Sequence, residues 1–379
     1  MYAGNFDTRK NSNPISIQTY MISGQFFHGS YLKDDVIFLL KCIEMDVVDL
    51  ETKERLLRCG RRHYSEMISR ESLPGQGYLD IFFQTVRDNR HRMAREVLAL
   101  ARYCSGKDEF VIVSLARAGT PLGVLLKRTL REVFARDVAH YSISIIRDRG
   151  IDENALRYIR SVHGDAEIVF VDGWTGKGAI SEELRQAVCG FNAGHGSNIG
   201  AGLHVLADLS GTAEVACCRD DYLIAFSLLN STVSGLVSRS ILNGEVVGPS
   251  DFHGCLFYDE FRAADLSLWF IDNVMAAIKD TPAEDIGMLM PHDGRAEANT
   301  RSREFIKKVM DAYNVSDRNR IKPGLGETTR ALLRRIPRLI LVRSVQMPAV
   351  AHILMLAADR GVKVETATDM PYNATAIIA

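Results

Sequence analysis

The sequence has no long hydrophobic run, no excess of one charge and no ordered cysteine pattern. No apolar run in its 379 residues approaches the ~18 residues of a membrane span. The first sixteen residues are polar and show no apolar core of a signal peptide. Forty-six basic residues against 47 acidic ones leave a net charge of −1, so the chain is not a polycation and any nucleic-acid surface must be local.

The cysteines do not indicate a disulfide framework or a zinc site. They are odd in number and irregularly spaced, and none forms a C-x-x-C pair. The plain interpretation is a reducing, cytoplasmic compartment with free thiols. The seven residues are Cys42, Cys59, Cys104, Cys189, Cys217, Cys218 and Cys255.

Length and patterning predict an α/β protein of two domains. A hydrophobic fraction of 46% and a charged fraction of 25% are globular averages, which exclude disordered and collagen-like chains. We predict a polar tail over 1–27, a first domain over 28–279, a linker over 280–297 and a second α/β domain over 298–379. Residues 31–105 are predicted mostly helical, from the apolar spacing at Ala94–Ala101 and Val36–Ile43. From residue 109 strands alternate with helices, which predicts a parallel sheet covered on both faces.

A glycine-rich loop, Asp172–Gly178 (DGWTGKG), is the most informative stretch. A strand is predicted to end in Asp172, and a helix starts after Gly178, so backbone N–H groups and the helix dipole can cradle a phosphate. Thr175 adds a hydroxyl and Lys177 a cation. The P-loop pattern fails, because Val171 and Gly178 stand where glycine and Ser/Thr are needed. A turn without a ligand is the alternative.

Two further segments could meet an anion at the same sheet edge. Ser114–Thr120 (SLARAGT) follows an earlier strand, and its Arg117, Ala118 and Gly119 could approach a ligand. A basic excursion with Arg147 and Arg149 could close over a polyanion as a lid. The alternatives are a surface arginine and a solvated charged face.

The last part of the chain is locally basic. Twelve basic and four acidic residues lie between 301 and 343. Glu327 and Arg330 fall at the start of a predicted helix, where a carboxylate suits the helix dipole and flanking arginines can contact phosphates.

Segments along most of the sequence resemble those of the bacterial two-domain family that joins a type I phosphoribosyltransferase domain to a PELOTA RNA-binding domain. That family occurs in tellurite-resistance-type stress systems, and some members are labelled cysteine protease StiP. The resemblance covers nearly the whole chain. It rests on GSYLKDDVIFLLK (29–41), GRRHYSEM (60–67), SLARAGTPLGVLLKR (114–128), HYSISIIRDRGID (140–152), VFVDGWTGKGAI (169–180), DDYLIAFSLLNSTVSGLVSR (220–239) and GPSDFHG (248–254).

The resemblance implies a type I phosphoribosyltransferase-like sheet with a helical N-terminal region, and a small C-terminal domain of the ribosomal-protein/pelota type. It also implies a Mg²⁺-dependent phosphoribosyltransferase, or the reverse pyrophosphorylase, acting on phosphoribosyl diphosphate and a nucleobase-like acceptor. Asp172 would hold the ribose or the metal, and Arg147 and Arg149 would belong to the catalytic loop. The remaining substrate contacts would be Arg117, Ala118, Gly119, Gly173, Thr175, Gly176, Lys177 and Gly178.

In the second domain the resemblance implies RNA contacts from Gly324, Glu327, Thr329, Arg330 and Arg334. The family motif G-x-N-E-x-T-K has Gly326 in place of its asparagine, which leaves backbone and shape readout. A basic domain that docks on the first domain without RNA is the alternative. No membrane partner is expected, and the oligomeric state is open.

Two other functions stay open. The usual type I motif has two adjacent acidic residues where this chain has Asp172 and Gly173, which leaves room for a non-catalytic protein that binds a nucleotide and RNA. A thiol protease needs a thiolate beside an imidazole. Asp251, His253 and Cys255 alternate on a strand roughly 6–7 Å apart, too far for a direct His–Cys hydrogen bond, so the protease is the least favoured function.

Overall fold

The fold was analysed on a computed structural model that describes residues 27–290, 293–334 and 336–378. All but the last residue of the predicted polar tail lies outside this range. The helices are α1 (Leu50–Arg58), α2 (Gln76–Ser105), α3 (Thr120–Phe134), α4 (Glu153–His163), α5 (Ala179–His195), α6 (Ser267–Lys279), α7 (Arg295–Ala312), α8 (Leu325–Arg334) and α9 (Ala351–Asp359).

The strands fall into three sheets. They are β1 (Ile37–Leu39), β2 (Lys41–Cys42), β3 (Phe110–Ala116), β4 (His140–Ile146), β5 (Gly150–Ile151), β6 (Glu167–Thr175), β7 (Leu203–Asp208), β8 (Val215–Cys218), β9 (Gly254–Cys255), β10 (Ile321–Pro323), β11 (Leu339–Val342), β12 (Val364–Thr366) and β13 (Ala374–Ile377).

The central sheet has the parallel strand order β1-β4-β3-β6-β7-β8, with β5 antiparallel to β4. Its strands read as continuous apolar runs, FVIVS and EIVFV, because both faces are covered. Helices α2, α3 and α6 pack on one face, and α4 and α5 on the other. The predicted α/β class is confirmed.

Two sequence-based expectations about this sheet were wrong. Val36–Ile43 holds β1 and β2 rather than a helix, because its Ile-Phe-Leu run pairs with Tyr141–Ile143 of β4. Strand β6 does not end at Asp172 but continues to Thr175, since Trp174 and Thr175 pair with Ala207 and Asp208 of β7. The turn between β6 and α5 therefore holds only Gly176–Gly178 and is shorter than the glycine-rich motif Asp172–Gly178.

The C-terminal sheet has the order β10-β13-β11-β12 and packs against α7, α8 and α9. Helix α7 begins at Arg295, inside the predicted linker. Buried Asp221 of the first domain accepts hydrogen bonds from the backbone N–H groups of Leu325 (2.8 Å) and Asn373 (2.7 Å). These bonds hold the start of α8 and the turn before β13 against the first domain.

No helix within the described ranges is both long enough and apolar enough to cross a lipid bilayer.

Candidate functional site

The strand order reverses its direction of growth between β3 and β6, where β4 lies on one side and β7 on the other. Open α/β sheets bind ligands at such a switch point, beyond the carboxyl ends of the strands. A pocket of about 190 Å³ lies here, lined by Ala118, Asp172, the 174–181 segment and, from the C-terminal domain, Lys322, Glu327 and Arg330. The two loops singled out in the sequence therefore meet, and the second domain closes the site.

Thr175 is part of the framework of this pocket. Its hydroxyl is buried, donates to Asp208 Oδ1 (2.5 Å) and accepts from Ser210 Oγ (2.9 Å). Asp208 also accepts from the backbone N–H of Thr212 (3.1 Å). A hydroxyl with these partners fixes the glycine loop and is not aimed at a ligand.

Lys177 reaches across the domain boundary. Its Nζ donates to the carbonyl oxygens of Arg318 (2.6 Å) and Ile321 (3.1 Å). Burial, together with the nearby cations Lys322 and Arg147, lowers the pKa of this ammonium to about 7. The hydroxyl of Tyr372 also donates to the carbonyl oxygen of Gly176 (3.1 Å), so the loop and the C-terminal domain are held as one unit.

The carboxyl group of Asp172 lies in the pocket and accepts a hydrogen bond from the N–H of Gly173 (2.7 Å). Burial raises the pKa of Asp172 to about 7, against the opposing effects of the Gly173 hydrogen bond and of Arg330. Gly173 itself is packed, because a side chain there would lie 2.5 Å from the Phe226 ring.

The donors present do not favour the predicted Mg²⁺. Among the described residues, no three His, Cys, Asp or Glu side chains are grouped as metal ligands. The pocket instead holds four basic side chains, Arg147, Lys177, Lys322 and Arg330, against the two carboxyl groups of Asp172 and Glu327. This charge suits an anion, and Mg²⁺ remains an untested prediction.

The two arginines of the basic excursion differ. Arg147 lines the pocket, its backbone N–H donates to the Tyr64 hydroxyl (2.8 Å), and its buried Nε has no hydrogen-bond partner within the described part of the chain. Arg149 is instead paired with Glu66 (3.0 Å) and does not line the pocket.

The first loop contributes Ala118 to the pocket and not its arginine. The guanidinium of Arg117 donates to Glu71 (2.6 Å) and to the carbonyl oxygen of Val237 (2.7 Å), outside the pocket. Gly119 is needed for packing, because a Cβ there would lie 2.6 Å from the carbonyl oxygen of Val171.

Of the predicted RNA-binding residues in and just before α8, only some lie in the described pocket. Glu327 and Arg330 line the pocket, 3.4 Å apart. Gly324 is buried with φ +92° beside Asp221, and the Thr329 hydroxyl is hydrogen-bonded to His352 Nε2 (2.8 Å). Arg334 is exposed and lies outside the pocket.

Sequence reasoning missed Lys322 as a pocket residue. The local excess of basic residues was the available signal, but nothing in it distinguishes Lys322 from its exposed neighbours. It also missed a groove of about 1290 Å³ between α2 and the C-terminal domain, lined among others by Arg92, Arg219, Arg343 and His352.

The structure separates the three residues considered for protease chemistry. Asp251 is paired with Lys41 (2.6 Å), His253 Nδ1 is hydrogen-bonded to Ser144 Oγ (2.8 Å), and Cys255 is the register partner of Cys42 in the β2–β9 pair. The neighbouring Cys255 side chain lowers the pKa of the half-buried Cys42 thiol. Burial raises the pKa values of Cys104 and Cys218 to about 12.

Comparison with known proteins decides the family. Residues 29–275 match the family described as tellurite-like stress resistance cysteine protease StiP, and residues 300–379 match the PELOTA RNA-binding domain. The chain belongs to the StiP family. The cysteine protease StiP of Acinetobacter baylyi is 40% identical over 336 residues, which cover 86% of each chain.

The predicted family is therefore confirmed, but the predicted activity is wrong. The StiP family model and the Acinetobacter relative are both named for cysteine protease activity, and not for phosphoribosyl transfer. A solved structure, a hypothetical protein from Neisseria gonorrhoeae with bound ppGpp, is 14% identical with a TM-score of 0.21. The matched region covers 32% of this chain and 68% of the Neisseria chain. A TM-score this low does not establish a common fold.

Proposed function

We propose that the chain binds RNA through its C-terminal domain and takes one RNA phosphate into the pocket at the switch point. The observation that carries this proposal is the group of four basic side chains, Arg147, Lys177, Lys322 and Arg330, which both domains contribute to one pocket. The match to a PELOTA RNA-binding domain supports the class of ligand.

The size of the pocket supports a single phosphate group. Its volume of about 190 Å³ is below the 300–1,000 Å³ of sites for drug-sized ligands. An A-form helix cannot enter it, whereas a phosphate in a splayed or single-stranded segment can.

Backbone groups add to the attraction. Helix α5 is 17 residues long, starts after Gly178 in the left-handed conformation and has no side-chain cap. Ala179, Ile180 and Ser181 of its first turn line the pocket, and the N–H groups of a first helical turn have no partners within the helix. A bound phosphate would accept from them and would relieve the repulsion between Lys177 and Lys322.

RNA binding of the full chain tests this proposal. Fluorescence anisotropy with a 20-nucleotide single strand compares wild type with Lys322→Ala/Arg330→Ala. We expect at least about tenfold weaker binding near 0.1 M salt and a salt slope smaller by about 1. Lys279→Ala/Lys363→Ala removes two charges at exposed positions outside the pocket and is the matched control. Equal losses in both double variants would attribute binding to overall charge and contradict the pocket.

A second function, thiol-dependent peptide hydrolysis with Cys42 as nucleophile, is favoured by the name of the Acinetobacter relative. Cys42 is half-buried, and its lowered pKa favours the thiolate, the form that attacks a peptide carbonyl. The neighbouring Cys255 can stabilise the Cys42 thiolate, and water would have to supply the proton that the leaving amine takes up.

Hydrolysis of casein and fluorogenic peptides under reducing conditions tests the second function. Cys42→Ala should abolish turnover, and Cys59→Ala, at an exposed position on the end of α1, should leave it unchanged. Turnover that survives Cys42→Ala would overturn the assignment, and a wild type without turnover would overturn the function.

We also propose a specific fold type and a cellular compartment for the chain. The switch-point pocket and the parallel sheet support a type I phosphoribosyltransferase-like fold that has been put to a different use. The seven unpaired cysteines support a reducing, cytoplasmic compartment.

A further inference from the structure

Cys42 and Cys255 are register partners on the two parallel strands β2 and β9. The pairing is fixed by two backbone hydrogen bonds of 2.9 Å, from Lys41 N–H to the His253 carbonyl and from Ile43 N–H to the Cys255 carbonyl. Residues in register on neighbouring strands point to the same face of a sheet. The two thiols accordingly lie side by side on one face, close enough for each to shift the pKa of the other.

This geometry is close to that of a disulfide. Neighbouring strands lie about 4.7–4.9 Å apart, within the 4.4–6.8 Å range of Cα separations in disulfides. Each strand is only two residues long, so the small approach of the Cβ atoms that a bond needs involves little of the sheet.

The two sulfurs differ in access. Cys42 is half-buried and can meet a small oxidant, whereas Cys255 is 0% exposed. The closeness of the two thiols lowers the pKa of Cys42 and raises that of Cys255. A partly accessible, thiolate-favouring cysteine next to a buried thiol is the arrangement of an attacking and a resolving cysteine.

We propose that Cys42 and Cys255 form a thiol–disulfide redox site that reacts with hydrogen peroxide or a small organic hydroperoxide. The Cys42 thiolate attacks the terminal peroxide oxygen, the O–O bond breaks, and the leaving oxygen takes a proton from solvent as water or alcohol. Cys42 is then a sulfenic acid. The Cys255 sulfur displaces its hydroxyl group, the S–S bond forms and water leaves with the Cys255 proton. Two electrons pass from the thiols to the peroxide, and a dithiol reductant restores the pair.

The chain provides an internal comparison. Cys217 and Cys218 are also close in sequence, but they follow one another along β8 and therefore point to opposite faces. Cys217 Sγ donates to the Glu96 carbonyl (3.2 Å) and both residues are buried. We expect this pair to stay reduced under conditions that oxidise Cys42. The inference requires neither RNA binding nor peptidase activity.

Mass mapping of the full chain tests the site. The reduced protein is treated with hydrogen peroxide, alkylated with N-ethylmaleimide and digested with trypsin. We expect the peptide that begins at Cys42 to appear joined to the peptide that contains Cys255, with loss of alkylation at both and recovery after dithiothreitol. Cys42 that stays alkylatable, or that joins Cys59 of a second molecule, would overturn the proposal.

Two variants separate attack from resolution. Cys255→Ala should let Cys42 stop at the sulfenic acid, which dimedone traps, and Cys42→Ser should leave Cys255 reduced and unmodified. Cys59→Ser is the control and should form the Cys42–Cys255 bond at the wild-type rate. Equal oxidation of Cys255 in the presence and absence of Cys42 would contradict the assigned order. Circular dichroism confirms that each variant is folded.

Discussion

The ammonium group of Lys177, in the glycine loop of the first domain, lies 2.6 Å from the carbonyl oxygen of Arg318 in the second. Arg318 in turn directs its guanidinium back to the carbonyl oxygen of Lys177 (3.3 Å). This reciprocal pair ties the loop to the C-terminal domain. It also explains how a loop patterned for phosphate binding becomes part of a domain interface.

Lys177→Met should weaken this interface, and more at pH 9 than at pH 6. Burial lowers the pKa of Lys177 to about 7, below the ordinary value of about 10.4, so the unfolded chain binds more protons between these values. The wild type therefore gains stability as the pH rises through that window, and the variant does not. We expect a loss of about 1–3 kcal/mol at pH 9 and a smaller loss at pH 6 in urea unfolding.

Lys279→Met is the control for this measurement, because Lys279 is exposed and forms a surface ion pair with Glu132. It should change the free energy of unfolding by less than about 1 kcal/mol at both pH values. A larger effect of Lys177→Met at pH 6 than at pH 9 would contradict the proposed titration.

Asp172→Asn should stabilise the protein above neutral pH. Burial raises the pKa of Asp172 to about 7, so the folded chain holds a proton that the unfolded chain releases above about pH 4. The stability linked to that proton is full below pH 4 and is lost as the pH rises through 7. Because the side chain partly faces the open pocket, we expect a gain of only about 1–2 kcal/mol at pH 8 relative to pH 4.

The same unfolding measurements on Asp34→Asn, an exposed position near the start of β1, provide the comparison. That variant should show the pH profile of the wild type. If Asp172→Asn shows the same profile as well, the carboxyl group is ionised in the folded protein and the pocket is more polar than proposed.

The sequence predicted the sheet because its strands are unbroken apolar runs, and it predicted the loop because three glycines, Asp172 and Lys177 coincide there. It could not predict where the side chains go. Arg117 was expected at an anion, yet it is paired with Glu71, 46 residues earlier in the chain. Lys177 bonds to backbone carbonyls 141 and 144 residues away, and a carbonyl group has no sequence signature.

The activity could not be predicted for a related reason. The segments around β3 and β6 have the pattern of a phosphate site, whereas the family is named for cysteine chemistry. Cys42 was given no role because its partner Cys255 comes from a strand 213 positions later, paired only through the β2–β9 register. Strand pairings at such a distance are not visible in one sequence.

Removing one member of the buried pair of Arg128 and Asp35 should strongly destabilise the first domain. Arg128 Nε lies 2.7 Å from Asp35 Oδ1, and Arg128 Nη2 lies 2.7 Å from Asp35 Oδ2. The side chain of Arg128 is 8% exposed and that of Asp35 is 1% exposed. Asp35→Ala leaves a largely buried guanidinium with only its bond to the exposed carboxylate of Asp272. We expect a loss of about 3–5 kcal/mol by urea unfolding.

Asp35→Ala/Arg128→Met removes both charges and should recover part of that loss. Asp259 and Arg262 form an exposed ion pair that serves as the comparison. Asp259→Ala should lower the free energy of unfolding by less than about 1 kcal/mol. A double variant that loses the sum of the two single losses would show that the charges do not depend on each other.

Gly178→Ala should destabilise the glycine loop by two separable effects. Gly178 has φ +81°, which disfavours any Cβ, and a Cβ there would lie 2.7 Å from Thr212 Cγ2. Gly196, at the other end of α5, has φ +60° with no heavy atom within 4 Å of the added carbon. Gly196→Ala therefore measures the backbone effect alone, about 1 kcal/mol.

The difference between the two alanine variants is the cost of the clash, which we expect to add at least about 1 kcal/mol. Thr212→Ser removes the clashing methyl group and keeps the hydroxyl that bonds Ser210 (2.8 Å). In that background Gly178→Ala should cost about as much as Gly196→Ala. Equal costs in the two backgrounds would mean that Thr212 moves aside freely, and that the loop is less tightly held than its hydrogen bonds to Asp208 and Ser210 imply.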